Sequence, residues 1–144
     1  MTIPNFSAAN KPILHIAETK NNGNPTILGG GYVDARSWQR VTFLLGVGAT
    51  DTTVDAKAQE SDTGATWSDV PGGAINRIPA TGDGSKCEIN IDLTSTSRKR
   101  YHRLLVTVGN GTLGAALAVW AILGLYAPDA VAHVGPAELD QVKP

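Results

Sequence analysis

Five carboxylates, Asp51, Asp55, Glu60, Asp62 and Asp69, crowd one short run of the chain around VDAKAQESDTGATWSDV, with Ser61 and Trp67 among them. Carboxylates at such density do two kinds of chemistry: they hold a hard cation such as calcium, or they work in pairs as acid and base. A helix-flanked calcium loop needs a turn glycine at its sixth position and a bidentate Glu at its twelfth. Counted from Asp51, those positions hold Ala56 and Asp62; counted from Asp55, they hold Glu60 and Thr66. Neither register fits. A glycosidase pair needs two carboxyls facing each other across a cleft, whereas Glu60 and Asp62 stand two residues apart at the end of one strand-like segment. The run therefore reads as a hairpin with turn and surface carboxylates. Val54, Ala56 and Ala58 alternate with Asp55, Lys57 and Gln59, the pattern of a half-exposed strand, and Ser61-Asp62-Thr63-Gly64 supplies a turn that the Asp62 side chain can cap. Trp67 is then expected to return over the small side chains of the Val54 face, and Pro71 to end the returning strand.

Other groups capable of chemistry are scattered. His15, His102 and His133 show no metal-binding spacing, and Cys87 is the single cysteine, expected as a buried structural thiol. Gly29-Gly30-Gly31-Tyr32 lacks the Gly-Lys-Ser/Thr of a phosphate loop and reads as a bend, and there is no G-x-S-x-G. No nucleophile, base and orienting group assemble, so the chain is expected to be non-enzymatic, without cofactor, metal or small-molecule substrate. Arg98, Lys99, Arg100, His102 and Arg103 form the one basic cluster, with only Tyr101 interleaved as an aromatic. Twelve Lys and Arg against thirteen Asp and Glu leave a net charge of -1, which does not favour nucleic acid or an anionic membrane as partner.

The elements that must position these residues are strands. Segments rich in Val, Ile, Thr and aromatics, at Ile13 to Thr19, Ile27 to Val33, Trp38 to Gly46, Val54 to Glu60, Lys86 to Leu93, Tyr101 to Val108 and Leu117 to Tyr126, are separated by Gly, Asn, Asp and Pro clusters. With the returning arm of the hairpin they make about eight strands with no amphipathic helix between them. The expected fold is all-β: an antiparallel β-sandwich, or a β-tulip or jelly-roll-like barrel. Trp38, Trp67 and Trp120 are its expected structural anchors, Trp120 in the core because its strand is apolar throughout. Residues 1–12 and 128–144 carry prolines and no sustained period, so they read as extended arms on a domain of 13–127. The first residues, MTIPNFSAANKPIL, show neither the basic nor the apolar region of a signal peptide, and no apolar run approaches a membrane span, so synthesis in a cytoplasm is expected.

The run GGGYVDARSWQRVTFLLGVGATDTTVDAKAQESDTGATWSDVPGGAI, followed by RYHRLLVTVGNGTLGAALAVWAILG, resembles small structural proteins of tailed bacteriophages. The shared style is a strand ending in Val-Gly-Ala, a strand leading into Gln-Glu-Ser-Asp-x-Gly and an aromatic, an Arg-rich strand and a last strand ending in Leu-Gly. The resemblance implies a virion protein, most similar to a capsid decoration (cement) protein that sits on the capsid exterior, is made in the bacterial host and binds the major capsid protein. Such proteins are often homotrimers. Under this reading Arg98, Lys99 and Arg100, with Pro128, His133 and Pro136 of the C-terminal arm, are the expected partner-binding residues. Two other expectations stand beside it: a head-completion or tail-tube component, and a carbohydrate-binding sandwich that stacks sugars on Trp38 or Trp67.

Overall fold

Strict alternation of inward and outward side chains governs the chain. In the computed structural model, which describes residues 10–23, 26–27, 31–94, 97–125 and 141–142, that alternation builds ten strands: β1 (Asn10–Asn21), β2 (Thr26–Ile27), β3 (Val33–Asp34), β4 (Arg40–Thr50), β5 (Val54–Ser61), β6 (Ser68–Ala74), β7 (Lys86–Asp92), β8 (Tyr101–Val108), β9 (Ala115–Gly124) and β10 (Gln141–Val142). They form two sheets. The first has the order β1-β9-β4-β7-β10; the second has the order β2-β8-β5-β6, with β3 also paired to β8. Every pairing is antiparallel. The expected all-β sandwich is therefore what forms, as two separate sheets and not a closed barrel, with no helix among the described residues.

The inner faces meet in one apolar layer. Val41, Phe43, Leu45 and Val47 of β4, Leu117, Val119, Ala121 and Leu123 of β9, and Cys87, Ile89 and Ile91 of β7 cover the first sheet. Val54, Ala56 and Ala58 of β5 and Leu104, Val106 and Val108 of β8 cover the second. Most of these residues are Val, Ile or Ala, with Phe43 and four Leu filling the remaining space, which suits a pleated surface packed about 10 Å from its neighbour. β4 lies in the middle of its sheet between β9 and β7, as its two partly apolar faces predict.

Several boundaries differ from expectation. β1 begins at Asn10, so residues 10–12 pair with β9 instead of belonging to an arm. The expected segment Ile27 to Val33 is two short strands, β2 and β3, both paired to β8. Trp38 precedes β4 and packs half-buried against the edge of the core, in a turn where Asp34 accepts the Arg36 N–H at 3.0 Å. Of the C-terminal arm only Gln141–Val142 is described, paired with Cys87 and Lys86 of β7.

Between β8 and β9, Asp51 ties down the glycine-rich loop. Its carboxylate accepts N–H groups from Thr112 at 2.9 Å, Leu113 at 2.7 Å and Gly114 at 2.8 Å. These donations hold the Asp51 pKa below the ordinary carboxylate value, the Leu113 N–H contributing most. Gly114 is required there: its φ is +87°, and an added Cβ would lie 2.1 Å from the Asn21 carbonyl oxygen.

Candidate interaction surfaces

The carboxylate run folds into the β5–β6 hairpin, but not as expected in detail. Ser61 Oγ accepts the N–H groups of Thr63 and Gly64 at 3.2 and 2.9 Å, and Thr63 Oγ1 takes the N–H of Ala65 at 3.2 Å. Hydroxyls thus cap the turn in place of Asp62. Pro71 does not end β6; it lies within it, in an irregularity where the register jumps from Gln59↔Asp69 to Lys57↔Ala74. β6 is the edge of its sheet, the one place a strand tolerates a residue without an N–H. Glu60 is the larger correction. It shares the inward parity of Val54, Ala56 and Ala58 and is only 3% exposed. Its oxygens meet Arg98 Nη2 at 3.6 Å and the Lys99 N–H at 3.3 Å. Opposite it in register stands His102, fully buried, whose Nε2 donates to the Lys99 carbonyl at 2.8 Å while Nδ1 has no hydrogen-bond partner. Burial pushes the His102 pKa below that of a free imidazole.

The basic cluster is largely consumed by the fold. Arg98 pairs with Glu60, and Arg100 makes a two-pronged contact with Asp34 at 2.9 and 2.7 Å that holds the Asp34 pKa at about 2. Lys99 Nζ reaches the Ser68 hydroxyl at 3.1 Å. Arg103 gives both Nε and Nη2 to Gln59 Oε1 and lies with its guanidinium carbon 4.2 Å from the centre of the Trp67 ring. Trp67 therefore does not cover the inner Val54 face. It sits half-buried on the outer face of the second sheet, 5.4 Å from the Tyr32 ring, with Tyr101 5.0 Å beyond Tyr32. The result is a run of three rings, Trp67, Tyr32 and Tyr101, with Arg103 over one end and Arg100 over the other at 4.8 Å from the Tyr101 ring centre, each cation contact worth about 1 kcal/mol at exposed sites. Pro128, His133 and Pro136 lie outside the described residues.

His15, which the sequence marks only by its lack of metal-ligand spacing, joins the two sheets. Its Nε2 lies 3.1 Å from the Leu104 amide nitrogen, in the stretch of β8 between the residues paired with β3 and those paired with β2. The Leu104 N–H donates to an unprotonated ring nitrogen there, and burial holds the His15 pKa below its usual value. The ring also packs 5.4 Å from Phe43.

The surface with unspent contact capacity is the outer face of the first sheet. Trp120, expected in the core, points outward and is 45% exposed, and Leu14 is 48% exposed. The registers set the face out in rows. Leu14, Trp120, Leu44 and Glu88 stand side by side across four strands; Ala118, Gly46 and Lys86 form the next row. Beside the indole, the small residues leave a shallow open groove of about 540 Å³ bounded by Leu44, Gly46, Lys86, Glu88, Ala118 and Trp120. A Cβ added at Gly46 would meet nothing within 4 Å. The face is thus apolar in the middle and charged along β7, the composition of a contact surface. Among the described residues no three His, Cys, Asp or Glu side chains gather so as to hold a metal ion, and no helix is long and apolar enough to cross a membrane.

No protein family and no curated protein matches the chain. Among solved structures, the crystal structure of PBSX exported protein XepA is similar, with a TM-score of 0.56 and 19% identity over 89% of this chain and 41% of that one. The structure of infectious bursal disease virus Gx strain aligns with a TM-score of 0.49 and 10% identity over 89% of this chain and 33% of that one. The chain spans less than half the length of either. At these identities the likeness is one of fold.

Proposed function

We propose that this chain is a non-enzymatic structural component of a phage virion, binding the capsid exterior and clamping neighbouring copies of the major capsid protein. The observation that carries the reading is the row of exposed Leu14 and Trp120 with half-buried Leu44 on the outer face of the first sheet, apolar area that a rigid sandwich presents outward. The fold shared with a PBSX protein supports the phage setting. In this proposal the sandwich is the rigid body, synthesised in the host cytoplasm, and the terminal segments outside the paired strands, 1–9 and 128–140, act as clasps on adjacent subunits. Arg98 and Arg100 serve mainly to lock the start of β8, leaving Lys99 as the cation of that group with no carboxylate partner among the described residues.

The test is occupancy on phage heads. Heads that lack the chain are incubated with the purified protein and imaged by electron microscopy; density on the capsid exterior is the expected result, and rings or tubes in solution favour a head-completion or tail component instead. Removal of residues 129–144 is expected to reduce occupancy at least tenfold, while unfolding of the sandwich changes only by the loss of the two-residue β10 pairing with β7. Undiminished occupancy would remove the clasps from the proposal.

A second reading, a carbohydrate-binding sandwich, gains one observation and loses another. The Trp120 indole is exposed beside an open groove, whereas the Trp67 ring is covered by Arg103. Glycan-array binding abolished by Trp120→Ala would favour it over the virion role.

A further inference from the structure

We infer that the outer face of the first sheet is occupied by a second copy of this chain, packed face to face about a two-fold axis that runs across the strands between the Trp120 row and the Ala118 row. The inference goes beyond the virion reading: the dimer is the form of the free chain, and its copies must part before the same face can meet a capsid.

The argument lies in the registers. A two-fold axis in the plane between the sheets, perpendicular to the strands, sets each residue on the residue of the same strand one row along. Trp120 pairs in register with Leu44, and Ala118 with Gly46. The same two β4 residues pair with Glu88 and Lys86 of β7. Under the axis, Trp120 of one copy lies over Ala118 of the other, Leu44 over Gly46, and Glu88 over Lys86. Each match is complementary at once: a large side chain enters the hollow left by a small one on β9 and again on β4, and opposite charges meet on β7. Both copies make the same three contacts, as an isologous interface requires.

Other features agree. The hollow is open, since an added Cβ at Gly46 meets nothing within 4 Å. Neither Lys86 nor Glu88 belongs to an ion pair among the described residues. Asn90 donates to one Glu88 oxygen and holds that carboxylate in place beside the groove. The other faces offer less: the outer face of the second sheet already spends Arg103, Trp67, Tyr32 and Tyr101 on one another. Four strands at ~4.8 Å by about nine residues at ~3.4 Å give two faces that together bury roughly 1,100 Å². That is at the low end of specific interfaces, where weak and transient pairs lie.

The test is a charge swap read by sedimentation equilibrium of the full chain over a concentration series. The natural chain is expected to self-associate from its 15.0 kDa monomer to a dimer of twice that mass. Lys86→Glu alone and Glu88→Lys alone each place like charges opposite one another and weaken dimerisation roughly tenfold or more. Equimolar K86E and E88K, mixed, restore it as a heterodimer, because each variant then supplies the charge the other lacks. Gly46→Arg fills the hollow without touching the fold and is expected to give a monomer with an unchanged thermal midpoint. A chain that stays monomeric up to about 1 mM, an oligomer of three or more copies, or a dimer indifferent to the swaps and to G46R would overturn the inference.

Discussion

His15 and His102 are both buried, and burial disfavours a charge on either ring, so both favour the neutral form. In the unfolded chain both titrate near 6.5. Folded values lowered from that point mean that the unfolded state binds protons first as pH falls, so stability is full above about pH 6.5 and declines below it. Urea unfolding at pH 7.5 and 5.5 is expected to show the loss, and His15→Gln with His102→Gln should flatten the pH dependence while lowering stability at both values. A natural chain equally stable at the two pH values would contradict this account. These residues also show what single-residue reading missed. Glu60 and His102 were placed among surface and turn groups, yet each continues the parity of its strand, Glu60 after Val54, Ala56 and Ala58, and His102 before Leu104, Val106 and Val108. Alternation had marked them as inward, and residue type overrode it.

At the scale of elements, β4, β5, β7, β8 and β9 were legible because each alternates against a polar or small-residue face, and period two leaves no doubt about which side is buried. β9 is the exception that matters. Ala116, Ala118, Trp120 and Ile122 are as apolar as Leu117, Val119, Ala121 and Leu123, so alternation could not say which row faces inward, and size wrongly favoured Trp120. Position in the sheet decided it: β9 pairs with β4 through residues that put Phe43 and Ala121 side by side in the core, which turns Trp120 and Leu44 out together. The loops were legible only as loops. That Asp51 would reach the Thr112 to Gly114 amides, some sixty positions away, depends on the β8–β9 loop lying beside the β4–β5 turn. Asp51→Ala is expected to leave the sheets intact and to speed hydrogen exchange at the Leu113 and Gly114 amides roughly tenfold, the equivalent of one ordinary hydrogen bond. Unchanged exchange there would mean that the loop is held by other contacts.

For the molecule as a whole, the two large rings Phe43 and Trp120 separate inside from outside. Phe43 is fully buried between the sheets, and its truncation to Ala should cost about 3–5 kcal/mol in urea unfolding. Trp120→Ser should cost less than about 1 kcal/mol, as removal from an exposed face does. Equal losses would place Trp120 in the core after all. The expected sandwich was readable from spacing and turn composition; which of its faces leaves Leu14 and Trp120 exposed was not, because that depends on which rows end up adjacent across four strands brought from distant parts of the chain.

The irregularity at Pro71 in β6 has a consequence for how such a molecule is kept in a crowded cell. A body with one adhesive face assembles in a closed pair or on a surface, but one that also exposes a straight strand margin can add neighbours without end and grow into fibrils. Here the margin is broken: Pro71 lacks an N–H, Gly72 turns the backbone at a φ of 70°, and the strand leaves and rejoins its neighbour between Asp69 and Ala74. Straightening it, by deleting residues so that β6 pairs continuously with β5, would offer a template for runaway polymerisation. The kink keeps this margin of the second sheet from serving as such a template.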